Sequence, residues 1–178
     1  VGLGSIGRAV GALATAFGCR VIATRRRTAA GAGAASPGGE GDDLPLGQLM
    51  LERVMGPEGL PELLAESDFI VLAAPLTPET EGMIDEAALA GVKPGAWLIN
   101  VARGGIIDEA ALAEAVHSGK VAGAAIDVFS TEPPGENPLL GDPRIIITPH
   151  LGASTAEAQE RVSLDVAEQI VDILSGKP

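Results

Sequence analysis

Three residues of this sequence have the types needed to pass a proton to an oxygen beside a held carboxylate: Arg103, Glu132 and His150. Each follows a short apolar run, at 96–100, 121–128 and 145–147 respectively. A guanidinium offers a carboxylate two parallel N–H donors. A carboxylate beside an imidazole favours the imidazolium. That ion is an acid able to protonate a carbonyl oxygen as hydride reaches its carbon. Histidine is scarce, His117 being the other one, and His117 sits late in a predicted helix, facing solvent or the helix dipole. A lone histidine after a strand is most often structural, and a lone arginine there is often one half of a surface ion pair. Three such groups at neighbouring strand ends reverse that reading.

The chain opens on Gly2-Leu3-Gly4-Ser5-Ile6-Gly7, a G-x-G-x-x-G pattern. Gly2 permits a tight turn, Gly4 lets backbone approach a pyrophosphate, and Gly7 lets the next helix pack closely on a strand. That helix begins at Ser5 and Ile6, where unpaired amides attract an anion. Glycine is frequent, 24 of 178 residues, so the pattern counts because it opens a helix in a strand–helix–strand arrangement. A dinucleotide site usually carries Asp or Glu for the ribose 2′-hydroxyl about 20 residues on. Here the chain has Thr24-Arg25-Arg26-Arg27. A carboxylate repels a 2′-phosphate, whereas guanidinium groups bind it. Arg25 and Arg26 therefore favour NADP(H). NAD(H) is the alternative if they form only a solvated loop. Ala74-Pro75-Leu76-Thr77 makes either a loop on the adenine side of the cleft or a plain turn into the next helix. Cys19 reads as a small core residue rather than a nucleophile.

The elements that must position these residues alternate between strand and helix. Residues 5–17 predict a helix, with Ile6, Val10, Leu13 and Phe17 at spacings of three and four. Strands are expected at 21–23, 69–73, 96–100, 121–128 and 145–147. Helices are expected at 58–65, at 85–90 and 108–117 behind Asp85 and Asp108, and at 154–174. In the last helix Val162, Val166, Ile170 and Ile173 form an apolar stripe. Residues 28–47, rich in Gly, Ala and Ser and holding Glu40-Gly41-Asp42-Asp43, read as a flexible surface insertion. Continuous apolar strands imply burial on both faces and hence a parallel sheet. The expected class is α/β, a Rossmann-like doubly wound parallel sheet, whose ligands sit at the carboxyl ends of the strands. So little chain precedes Gly2 that this reading expects a start inside the first strand, truncating it.

Composition narrows the partners. The chain carries 12 basic and 24 acidic residues, a net charge of −12, with 2% aromatics and no Tyr. A phosphate backbone is repelled by such a surface, and stacking platforms for bases are lacking, so no nucleic-acid partner is expected. One cysteine excludes an internal disulfide framework and a cysteine zinc cluster, and no metal site is expected. Thin cysteine usage, with no apolar run long enough to span a bilayer, points to a cytoplasmic setting.

Residues 1–7, 71–80, Lys93-Pro94-Gly95, 100–108, 127–133 and 148–152 together resemble the D-isomer-specific 2-hydroxyacid dehydrogenases. The resemblance covers nearly the whole chain apart from about residues 28–55. It implies that Arg103 binds a substrate carboxylate and keto oxygen, that His150 is the acid/base and that Glu132 is its partner. It implies pyrophosphate contacts at Ser5 and Ile6. Ala73, Ala74, Pro75, Val101, Ala102, Arg103, Asp127, His150, Gly152 and Ala153 would line the rest of the cofactor, Asp127 facing the nicotinamide amide. Where the family often has Asp, this chain has Arg25, as in the NADP-using glyoxylate/hydroxypyruvate reductases. Glu132 also separates the chain from the related formate dehydrogenases, which use Gln in that role. The resemblance further implies a 2-oxo acid substrate, a homodimer formed through this domain, and a substrate domain supplied by other sequence. Two rival readings remain: a non-catalytic dinucleotide-sensing corepressor, and another Rossmann enzyme such as S-adenosylhomocysteine hydrolase.

Overall fold

The computed structural model describes residues 1–26, 48–152 and 154–176. The insertion expected at 28–47, and Ala153, lie outside the described residues. In chain order the elements are α1 (Ser5–Ala16), β1 (Ile22–Thr24), β2 (Arg53–Met55), a 3-10 turn (Pro57–Gly59), α2 (Leu60–Glu66), β3 (Phe69–Leu72), α3 (Glu86–Gly91), β4 (Ala96–Asn100), α4 (Glu109–His117), β5 (Val121–Ile126), β6 (Ile145–Ile147) and α5 (Ala156–Leu174). All strand pairs are parallel: β1 with β2 in one sheet, and β3-β4-β5-β6 in the other.

Val1 and Gly2 join the two sheets. Gly2 N–H donates to Thr24 O at 3.0 Å, and Ala73 N–H donates to Val1 O at 2.8 Å. The Val1 nitrogen donates to Val71 O at 2.6 Å. Two residues thus occupy a strand position between β1 and β3. Read across the molecule, the order is β2, β1, residues 1–2, β3, β4, β5, β6, the α/β Rossmann-like arrangement expected from the alternating pattern.

The core lies between the four-stranded sheet and a layer made by α2, α3 and α4. Ile70, Leu72, Ala96, Leu98, Ala124, Ile126 and Ile145 face that layer and meet Leu63, Leu64, Leu89, Leu112 and Val116. The helices start where their side chains can satisfy free amides. Asp85 accepts from Ala88 N–H at 2.8 Å, and Asp108 from Ala111 N–H at 3.0 Å. Trp97 lies over Gly123, where an added Cβ would come within 2.4 Å of the indole.

Several expectations need correction. Strand β2 was not foreseen, because Arg53-Val54-Met55 has a single β-branched residue and no alternation. Strand β5 ends at Ile126, not at residue 128. Cys19 is exposed instead of buried, since it sits past the last turn of α1. Helix α1 buries Gly11 and Ala12 rather than its apolar stripe, leaving Phe17 86% exposed. Helix α5 forms behind Thr155, but none of its residues is buried. Burial on both faces also fails. Phe69, Val71, Trp97, Ile99, Ala125 and Ile146 share the sheet face opposite the helix layer, with Phe69 67% and Ile146 60% exposed.

The two faces predict unequal sensitivity. Leu98 is fully buried, so Leu98→Ala should lower unfolding stability by about 2–5 kcal/mol. Ile146→Ala, on the open face, should change it by less than about 1 kcal/mol. Urea unfolding of the two variants, followed by circular dichroism, checks the difference.

Candidate active site

The glycine turn after residues 1–2 and the loops beyond β1, β3, β4, β5 and β6 leave the sheet at its carboxyl edge, and the described candidate residues lie there, with Thr24 ending β1. The first part is the glycine turn. Gly2 has φ 90°, and a Cβ there would sit 2.7 Å from the Ala73 backbone. A Cβ on Gly7 would sit 2.1 Å from Gly2 O, while Gly4 has nothing within 4 Å. Gly7 thus lets the helix lie against the turn, and the approach over Gly4 is open among the described residues. Among the described residues helix α1, like α2, has no side-chain cap, unlike α3, α4 and α5.

The arginine run starts at the end of β1. Thr24 is buried, its carbonyl taken by Gly2, and Arg25 N–H continues the strand pairing to Met55 O at 3.0 Å. The Arg25 side chain is half-buried, and its Nε is a buried donor with no partner among the described residues. Arg26 is exposed. Glu79, on the loop after β3, is held below the usual carboxylate value by the Thr77 hydroxyl, by its own backbone and by the charge of Arg26. That loop is folded on itself: Thr80 Oγ1 donates to Pro75 O at 2.7 Å and accepts from Thr77 N–H at 2.8 Å. Ala73 and Ala74 precede it, Ala74 buried.

Beyond β4 the chain turns around Asn100, which is 2% exposed. Its Oδ1 accepts from Ala102 N–H at 3.1 Å, and its Nδ2 donates to Arg103 O at 3.0 Å. This amide fixes the Val101-Ala102-Arg103 turn from below. Ala102 is buried, Val101 is exposed, and the exposed Arg103 donates from Nη1 to Ala102 O at 2.7 Å. The next residue must be glycine, because a Cβ on Gly104 would lie 1.8 Å from Phe129 O. The loops after β4 and β5 therefore touch backbone to backbone.

Glu132 and His150 meet. His150 Nδ1 lies 2.8 Å from Glu132 Oε2, and Glu132 Oε1 accepts from Phe129 N–H at 3.1 Å. The His150 hydrogen bond, followed by the Phe129 amide, holds the Glu132 carboxyl below its usual value. With Nδ1 engaged by Glu132, Nε2 is the other ring nitrogen. Glu109 on α4 ties down the same loop, accepting from Ser130 N–H at 2.7 Å and from Asn137 Nδ2 at 2.6 Å. Burial opposes ionisation of Asp127. Hydrogen bonds from Thr148, Leu151 and Gly152, with the charge of His150, outweigh it and keep that carboxyl low. Asn100, Glu109 and Thr148 were not singled out from sequence as site residues. Their signal was weak: a polar residue ending an apolar strand, or a glutamate just inside a helix. His117 is exposed at the end of α4, as foreseen. Among the described residues no group of three or more His, Cys, Asp or Glu could hold a metal ion.

A parallel sheet with this glycine turn, and with an Arg, Glu and His at adjacent strand ends, defines a dinucleotide-binding oxidoreductase domain. The chain belongs to the D-isomer specific 2-hydroxyacid dehydrogenases, residues 1–152 matching the family's NAD binding domain. It is 46% identical over 177 residues to the D-3-phosphoglycerate dehydrogenase of Mycobacterium leprae, covering 99% of this chain and 30% of that relative. The chain thus spans about a third of that relative's length. A D-isomer specific 2-hydroxyacid dehydrogenase from Xanthobacter autotrophicus, solved with NADPH and MES, is 41% identical with a TM-score of 0.65, over 72% of this chain and 54% of that one. An NADPH-dependent glyoxylate/hydroxypyruvate reductase from Sinorhizobium meliloti, solved with NADP and sulfate, is 28% identical with a TM-score of 0.77, over 99% of this chain and 52% of that one. No described helix is long and apolar enough to cross a membrane.

The His150–Glu132 contact has a pH signature. The Glu132 pKa is lowered on folding, so the pairing stabilises the fold above the ordinary glutamate value and is lost as pH falls through the lowered one. The Glu132 carboxyl carbon, followed by NMR, should titrate below the ordinary glutamate range in this chain. In His150→Gln its midpoint should move upward.

Proposed function

We propose that the domain binds NADP(H) in preference to NAD(H) and serves reduction of a 2-oxo acid to a D-2-hydroxy acid, or the reverse. The observation that carries the reaction is the His150–Glu132 pair, 2.8 Å apart, on loops beside the Arg103 turn. Arg103 holds the substrate carboxylate and keto oxygen through its planar donors. Glu132 engages Nδ1 and directs Nε2 of His150 toward the carbonyl oxygen. His150 gives that oxygen a proton in reduction and takes it back in oxidation. The nicotinamide cofactor, when bound, supplies or accepts the hydride.

The residues present fit that cofactor. Gly2 and Gly7 keep the turn and helix close, and the uncapped start of α1 offers amides to a pyrophosphate. Ala73 to Pro75, Val101, Ala102, Asp127 and Gly152 lie on the loops that border the same edge. The unpartnered Arg25 Nε supports a 2′-phosphate ligand, with Arg26 beside it. A homodimer formed through this domain and a cytoplasmic setting belong to the same reading.

Nicotinamide fluorescence of the chain, titrated with NADPH and with NADH at fixed low salt, tests the cofactor assignment. NADPH should bind at least about tenfold tighter, the scale of a hydrogen bond to a charged group. Arg25→Asp should reverse the order. Equal affinities in both proteins would overturn the preference. In a full-length protein containing this chain, His150→Gln should cut turnover by about 10² to 10⁴ with cofactor affinity unchanged. Unchanged turnover there would remove the acid/base role.

A further inference from the structure

Among the described residues, His150 is the one non-glycine residue in the left-handed region, with φ 54°. Such a conformation persists where surrounding contacts over-determine it. Here they come from Asp127. Its Oδ1 accepts from the Thr148 hydroxyl, two residues before His150, and from the Leu151 N–H, one residue after it, at 2.9 Å. One carboxylate oxygen therefore brackets the backbone of His150 from both sides. Asp127 is itself fixed, its N–H donating to Asn100 O at 3.0 Å. Thr148 N–H donates to Ile126 O at 3.1 Å, so the bracket is anchored to the ends of β4 and β5. The ring of His150 then reaches Glu132, five residues beyond Asp127 on the same loop.

We propose that Thr148 is a positioning residue for the reaction: its hydroxyl, acting through Asp127, holds His150 in the backbone conformation that brings the ring onto Glu132. This rests on the reading of His150 as the proton carrier. Thr148 need touch neither substrate nor cofactor for this role. Valine has the same branched shape but no hydroxyl, so Thr148→Val leaves Leu151 N–H as the single hydrogen bond from this pair and makes the bracket one-sided.

The test uses the two histidines of the chain, labelled with ¹³C and ¹⁵N and assigned with His117→Gln. In the wild-type background, Glu132→Gln should displace the His150 ring resonances and leave His117 in place. In Thr148→Val, that Glu132-dependent displacement should fall by more than half, with the His150 signal broadened or split and His117 unmoved. Thr148→Ser, which keeps the hydroxyl, should restore it. A full displacement in folded Thr148→Val overturns the proposal. So does a displacement cut by more than half in Thr148→Ser, a result that counts even where Thr148→Val unfolds and His117 moves as well. Because these readouts require no turnover, they separate the bracket from the chemistry. A lost bracket role with His150→Gln still abolishing turnover in a full-length protein leaves the acid/base role standing. An intact bracket with His150→Gln fully active removes that role instead.

Discussion

Gly2 donates its N–H to Thr24 while Val1 accepts from Ala73, and through these contacts the two halves of the sheet stand side by side. The turn is tight enough to exclude a side chain at Gly2, whose Cβ would collide with the Ala73 backbone, and at Gly7, whose Cβ would collide with Gly2 O. Three chain segments therefore converge within one layer of atoms: the start of α1, the end of β1 with Arg25, and the end of β3 with Ala73 and Ala74. The part of the site assigned to the cofactor's phosphates and ribose is set by that convergence.

On the other side of the site the sheet ladder runs on past the strands. Asp127 N–H reaches Asn100 O, and Thr148 N–H reaches Ile126 O. The turn that carries Arg103 is pinned from beneath by the Asn100 side chain, and the loop that carries Glu132 is pinned to α4 by Glu109. Backbone groups that would be orphaned at strand ends are satisfied by one another or by a few buried or half-buried polar side chains. The Arg, Glu and His are thus presented from fixed supports, which is how a site is preorganised before a ligand arrives.

Much of this was legible in the sequence, for identifiable reasons. The apolar runs around Ile70, Leu98, Ala124 and Ile146 mark strands because they are short, continuous and bounded by turns, and the residues just beyond them must lie at the carboxyl edge. Asp85 and Asp108 mark helix starts because few residues cap as well. Strand β2 was hidden because only pairing with β1 makes Arg53-Val54-Met55 extended. Cys19 and Phe17 misled because apolar character says nothing about whether a neighbouring element covers it. The same holds for the stripe on α5. The left-handed backbone at His150, and the donors meeting on Asp127, were invisible for a different reason. They depend on three-dimensional closure between loops 21 or more residues apart, which no local spacing encodes.

The placement of the arginines has a consequence for encounter with small anions. At long range the molecule, with its net charge of −12, repels them. Within about 10 Å, at ordinary salt, that far field is screened, and the local field is set by the guanidinium groups at the carboxyl edge together with Glu79, Asp127 and Glu132. Arg25, Arg26 and Arg103 stand along that edge, while Arg20, Arg53 and Arg144 are neutralised by carboxylates elsewhere on the surface. Added salt therefore acts in two opposite directions. It lowers the distant barrier to approach and weakens the final attraction, so salt changes anion capture by this surface less than the arginines alone would give.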